Sequence, residues 1–276
     1  MFIFLAACAR IQESDPNARL TTGWDHFRAG DYGPALHVFN SVRKHSGTNK
    51  ILRLQATYAL ATTWNLRRPG NDPVKAKAFY QECISNAPKS DTAAWSHLAL
   101  GRMIHIVPSD RKPDYPAARA AYQKVIDNFP GHAAAHEAFL YQQSSLVASL
   151  KPEDARDVIR NIRAYLARYP RLGLKSPLLQ LVAGAHLTLG EQEARLAAEI
   201  ESLDCRELDP TNPKMNLAAP IWNIANIAEF ETGDFRIARK YYERFLRECP
   251  DDSKTYGAQV ALQRLTAMER KVRTGN

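Results

Sequence analysis

Apolar positions along this chain recur on two scales. Inside segments they return every three or four residues, the spacing of one helix face. Between segments the whole pattern returns about every 40 residues, and prolines mark the beat: Pro88, Pro130, Pro170, Pro210 and Pro250, separated by 42, 40, 40 and 40. Twelve residues before each proline stand Ala76, Ala118, Val158, Ala198 and Ala238, and Ala35 stands at the same distance before Gly47. Eight before come Phe39, Tyr80, Tyr122, Ile162, Ser202 and Tyr242; five before come Val42, Cys83, Val125, Tyr165, Cys205 and Phe245. Steps of four and three put these three columns on one stripe of a helix that the proline closes. The small residue lets a neighbouring helix approach, and the larger ones fill the space beneath it.

Turn signals precede each of these helices, at Gly30-Asp31-Tyr32, Gly70-Asn71-Asp72, Lys112-Pro113-Asp114, Lys151-Pro152, Gly190 and Gly233-Asp234. Before each turn lies a second helical pattern, at 19–29, 51–66, 93–104, 133–150, 178–189 and 221–232. The reading is therefore all-α: six helical hairpins, at about 16–50, 51–90, 91–131, 132–172, 173–213 and 214–252, and a capping helix at 253–273. These occupy one region, 15–276, behind an apolar N-terminus at 1–14.

The columns resemble the tetratricopeptide repeat. Trp222, Gly233, Asp234, Phe235, Ala238, Tyr242, Phe245 and Pro250 match its pattern in one unit. Trp95, Tyr115, Ala118, Tyr122 and Pro130 match in another, and Gly23, Gly30, Tyr32, Ala35 and Phe39 in the first. The period exceeds the family's 34, and the units at 132–172 and 173–213 are degenerate, as in divergent bacterial members. The resemblance implies a right-handed α-solenoid that binds proteins. It also implies that the first helices line a concave groove, at Leu20, Trp24 and Phe27, at Ser96, Leu100 and Met103, and at Asn223, Ile227 and Phe230. These residues are mostly apolar, which suits an extended or helical peptide with hydrophobic anchors; the alternative is that Trp24, Phe27 and Phe230 pack between helices.

Charge changes this picture little. Lys and Arg number 37 against 29 Asp and Glu, a net charge of +8. The densest basic stretch, Arg156, Arg160, Arg163, Arg168, Arg171 and Lys175, has helical spacing and acids at its start, which reads as a solvated face. No nucleic-acid partner is expected.

The N-terminus adds one motif. Leu5-Ala6-Ala7-Cys8 resembles the lipobox of bacterial lipoproteins, in which the cysteine carries the lipid. The resemblance implies an anchor at Cys8, and Ala9 in the next position implies outer-membrane retention at the periplasmic face. No Lys or Arg precedes Cys8, so the expectation is a signal beginning upstream; the other reading is a frayed apolar terminus, which leaves a soluble cytoplasmic adaptor.

Chemistry is scarce. Phosphate-binding glycine loops, a serine-nucleophile elbow and Cys/His metal spacings are absent. His132 and His136 share a helix face without a third ligand, and Cys83 and Cys205 occupy a core column. No catalytic residue, metal, cofactor or small-molecule substrate is expected. The rival to a scaffold is an enzyme, or a substrate-recruiting subunit, with a site in the degenerate central units.

Overall fold

The structure, a computed structural model, describes residues 15–47, 49–206 and 217–274. Cys8 with its motif, and Pro210 of the proline series, lie outside the described residues. Twelve helices follow as hairpins: α1 (Pro16–Ala29) with α2 (Tyr32–His45), α3 (Lys50–Leu66) with α4 (Pro73–Asn86), α5 (Asp91–His105) with α6 (Tyr115–Asn128), α7 (Ala133–Val147) with α8 (Pro152–Arg168), α9 (Lys175–Leu189) with α10 (Gln192–Asp204), and α11 (Ala218–Asn226) with α12 (Phe235–Glu248). A turn of π-helix, Ile227–Glu231, prolongs α11, and α13 (Thr255–Thr274) closes the series. The described residues contain no strand. By contact density the chain forms two compact units, Met1–Gln142 and Gln143–Asn276.

Local chemistry starts and stops these helices. Aspartate carboxylates accept first-turn N–H groups at Asp15, Asp72, Asp114 and Asp234, and Ser90 does the same for α5. Proline stands in the first turn of α1, α4, α6 and α8, where its missing N–H costs nothing. Gly30 and Gly190 end α1 and α9 with φ of 85° and 73°, a left-handed conformation that a side chain disfavours. Asp234→Ala removes the acceptor 2.9 Å from the Ile237 N–H and should lower stability by about 1 kcal/mol, read from urea unfolding.

The second helices bury the repeating columns. Ala35, Ala76, Ala118, Val158, Ala198 and Ala238 are buried, and so are Phe39, Tyr80, Tyr122, Ile162, Ser202 and Tyr242. In the last column Val42, Cys83, Val125 and Phe245 are buried, whereas Tyr165 and Cys205 of the degenerate units are half-buried. Close approach depends on glycine twice: a Cβ on Gly23 would lie 2.4 Å from the Phe39 ring, and one on Gly101 2.8 Å from the Tyr122 ring. α9 packs on α10: Leu178, Leu179, Val182 and Ala185 on the first and Leu196 and Ala198 on the second are buried, and a buried hydroxyl pair, Ser176–Ser202 at 3.1 Å, joins the two helices.

Candidate functional site

First helices touch one another as well as their own second helices: α1 meets α3, and α3 meets α5. The groove residues expected in the first unit fall along this row. Leu20, Trp24 and Phe27 lean on the Phe39–Leu60 core with part of each side chain outside. Trp24 packs edge-on against Phe27 and Phe39, at 5.5 and 5.1 Å. Leu100 and Met103 rest on Ala61, Ala76 and Tyr80 beside Tyr58 and Trp64. Ser96 differs: it is 0% exposed, beside the Cys83 thiol, and its hydroxyl makes no conventional hydrogen bond. No partner reaches it, because the face it occupies points at α4.

The same row holds polar and aromatic side chains that periodicity did not single out. Arg102 on α5 lies over the ring of Tyr141 on α7, 5.1 Å from its centroid. Tyr141 stacks on Tyr122, centroids 5.8 Å apart, and His105 fits edge-on against both. A 3.1 Å hydrogen bond joins His105 Nδ1 to the Tyr122 hydroxyl. Tyr58 on α3 stands 5.8 Å from Tyr80. Burial dominates the titration of the cluster: it pushes Tyr58 up, Tyr80 up to about 12, and His105 down. Glu137 is also raised, by burial first, with the Arg102 charge pulling the other way. A sequence signal for these residues exists: Glu137 is the sole Asp, Glu, Lys or Arg in α7, and Arg102 the sole one in α5 after its first residue.

Half-burial of Glu137 makes a pH prediction with a definite sign. A carboxyl whose folded pKa is raised stabilises when protonated and loses that contribution as pH rises through the folded value. Glu137→Gln removes the buried charge, so its melting temperature should exceed the wild type's at pH 7.5 and converge on it near pH 4. Thermal scans at the two pH values check this; an equal or lower Tm for the variant at pH 7.5 contradicts it.

In the second unit the three expected residues part company. Asn223 donates to Glu199 Oε1 at 3.1 Å, Ile227 is 1% exposed inside the core, and Phe230 is 65% exposed. The last two belong to the π turn, in which Ile227 and Glu229 are buried and Phe230 lies outside. Glu229 Oε2 accepts from the Tyr242 hydroxyl at 2.8 Å, Oε1 accepts from Arg264 Nε at 2.7 Å, and Arg264 Nη2 completes the ion pair 2.6 Å from Oε1. The same guanidinium lies 5.4 Å from the centre of the Phe230 ring. Sequence gave no hint of this triad, whose members are separated by 13 and 35 positions.

Elsewhere polar groups are occupied with structure. His132 accepts the Ala134 N–H through Nδ1 at 3.0 Å and turns Nε2 to Asp91 at 2.9 Å, so it caps α7. Burial pushes the Cys83 thiol up to about 11. On α8, Arg160 pairs with Asp157 at 2.7 Å and Arg163 with Glu201 at 2.6 Å. Among the described residues no three metal-ligating side chains cluster, and no helix is long and apolar enough to cross a membrane.

No family model and no curated protein matches the chain. Solved structures do. The chain is similar to PilW, a widely conserved type IV pilus biogenesis factor, at 15% identity and a TM-score of 0.58, over 91% of this chain and 98% of that one. It is also similar to Acl4, an assembly chaperone of RpL4, at 15% identity and a TM-score of 0.50, over 94% and 99%. Both are helical-repeat proteins of the tetratricopeptide type, and that is the fold of this chain.

Proposed function

From a tetratricopeptide-type fold we propose a non-catalytic scaffold that holds a protein partner against its first-helix face. The observation that carries this reading is the row Trp24, Phe27, Tyr58, Leu100, Arg102, Met103 and Tyr141: large side chains fixed on adjoining helices, each left partly exposed. Rigid helices hold the row before any partner arrives, so little ordering opposes binding. In the second unit, taken by itself, half-buried Asn223 and exposed Phe230 remain candidate contacts; Ser96 and Ile227, being buried, do not. The similar structures are described as a biogenesis factor and an assembly chaperone, which supports a role in assembly over catalysis. A lipid on Cys8 would hold the chain at the periplasmic face of a bacterial outer membrane, in keeping with the likeness to a pilus biogenesis factor. The likeness to an assembly chaperone favours a second reading, a soluble adaptor with no anchor.

Photocrosslinking tests the scaffold. A benzophenone amino acid at Leu100 or Trp24 should trap a discrete partner in cells, whereas the same probe at Lys77, on the exposed side of α4, should not. Equal yields at all three positions would count against the face. Fractionation of wild type and Cys8→Ala separates the two locations: the anchored reading expects release of the variant from membranes, and unchanged soluble behaviour of both favours the adaptor.

A further inference from the structure

We propose that Arg102 anchors an internal acidic side chain of a peptide lying across α5. This rests on the first-helix face being a peptide groove and names the chemistry it selects.

Three observations converge on Arg102. Its guanidinium makes no hydrogen bond or ion pair with the described residues, although it is half-buried and lies over the Tyr141 ring, 5.1 Å from its centroid. Contact with the aromatic ring restrains the side chain, and the planar guanidinium fork matches a carboxylate through two parallel N–H···O bonds. Glu137 on α7 feels the Arg102 charge but closes no ion pair with it. Glu137 therefore does not quench the arginine. The surroundings carry the complementary sign: residues 1–142 hold 17 Lys and Arg against 11 Asp and Glu, whereas residues 143–276 hold 20 against 18. Attraction of an acidic segment to the first unit follows.

Position selects an internal side chain over a chain terminus. Arg102 lies on α5, with α3 to one side through Leu100, Met103 and Tyr58, and α7 to the other through Tyr141. A peptide seated on the arginine still has helix surface ahead of it and behind it. Apolar residues flanking the acid would meet Leu100 and Met103, and the Tyr58 and Tyr141 rings would wall the carboxylate.

Fluorescence anisotropy with the full chain tests the proposal. The probes are fluorescein-labelled 13-residue peptides, amidated at the C-terminus, with Leu and Phe spaced by Ser and with Glu, Gln or Lys at the centre. The Glu peptide should bind about tenfold more tightly than the Gln peptide, the gain of one charge-assisted bidentate pair. The Lys peptide should bind more weakly than either. Arg102→Met should bring the Glu and Gln peptides within about twofold of each other, and Arg102→Lys, which keeps charge and loses the fork, should fall between. Glu137→Gln should tighten the Glu peptide by removing a like charge. Equal binding of all three peptides to the wild type overturns the acidic preference while leaving the groove standing, as does a preference that survives Arg102→Met. A Gln peptide with a free C-terminal carboxylate that matches the amidated Glu peptide overturns the internal assignment. Failure of every peptide to bind overturns the groove reading together with this one.

Discussion

Arg264→Ala is expected to lower the unfolding free energy by about 2–4 kcal/mol, because it leaves the Glu229 carboxylate buried without its cation. The Glu229 side chain is 3% exposed and receives two hydrogen bonds, one from Tyr242 and one from Arg264 Nε, with Arg264 Nη2 in ion-pair contact at 2.6 Å. Tyr242 alone cannot offset the desolvation of a carboxylate, and its hydroxyl is itself pushed above its ordinary pKa, by burial first and then by this acid. Since Arg264 is partly exposed, the figure sits below that for a fully buried pair. Urea unfolding of Arg264→Ala, Glu229→Leu and the double variant forms a cycle that isolates the pair. The double variant should recover most of the loss, because neither charge then remains. If it is as unstable as Arg264→Ala, the loss comes from packing of the arginine stem across Phe230 and not from the stranded carboxylate.

Gly101→Ala should cost about 1–3 kcal/mol even though alanine is the better helix former by about 1 kcal/mol. The added Cβ would lie 2.8 and 2.9 Å from two ring carbons of Tyr122. That ring is fully buried, stacked on Tyr141 and tied through its hydroxyl to His105, so it has no free direction in which to move. Gly33→Ala is the matched control: nothing lies within 4 Å of its Cβ position, and propensity alone should make it neutral or slightly stabilising. A Gly101→Ala protein as stable as the wild type would mean that α5 and α6 slide apart without loss. Tyr122→Leu in the Gly101→Ala background should restore part of the stability, since a smaller side chain makes room for the methyl group.

The second helices were the readable part of this chain because their environment is one-sided. Each packs one face and turns the other to water, so α8 and α12 segregate apolar from charged positions strongly and their buried columns could be named from spacing. First helices are contacted by second helices and by neighbouring first helices, so they are apolar over most of their circumference. In α3, α7 and α9 the segregation is weak, and an error of one residue in register turns the exposed stripe by about 100°. Spacing alone therefore puts Leu100 and Met103 on the face together with Ser96, which is buried, and leaves out Arg102, one position away. Beyond Ile227 the π turn shifts the helix phase, and spacing carries no sign of the extra residue.

Sequence by itself determined the hairpin order, the helix boundaries near the Asp–Pro and glycine signals, and the residues that fill the space between helices. Those follow from local backbone chemistry and from a repeat that presents the same packing problem in each hairpin. Only the tertiary structure decided which few side chains of the first helices remain outside, that Arg102 meets Tyr141 across a helix boundary, and that Glu229 finds Arg264. The physical reason is sequence distance: contacts made between repeats join residues about 35 to 40 positions apart, and composition along one helix says nothing about the partner that the next helix brings.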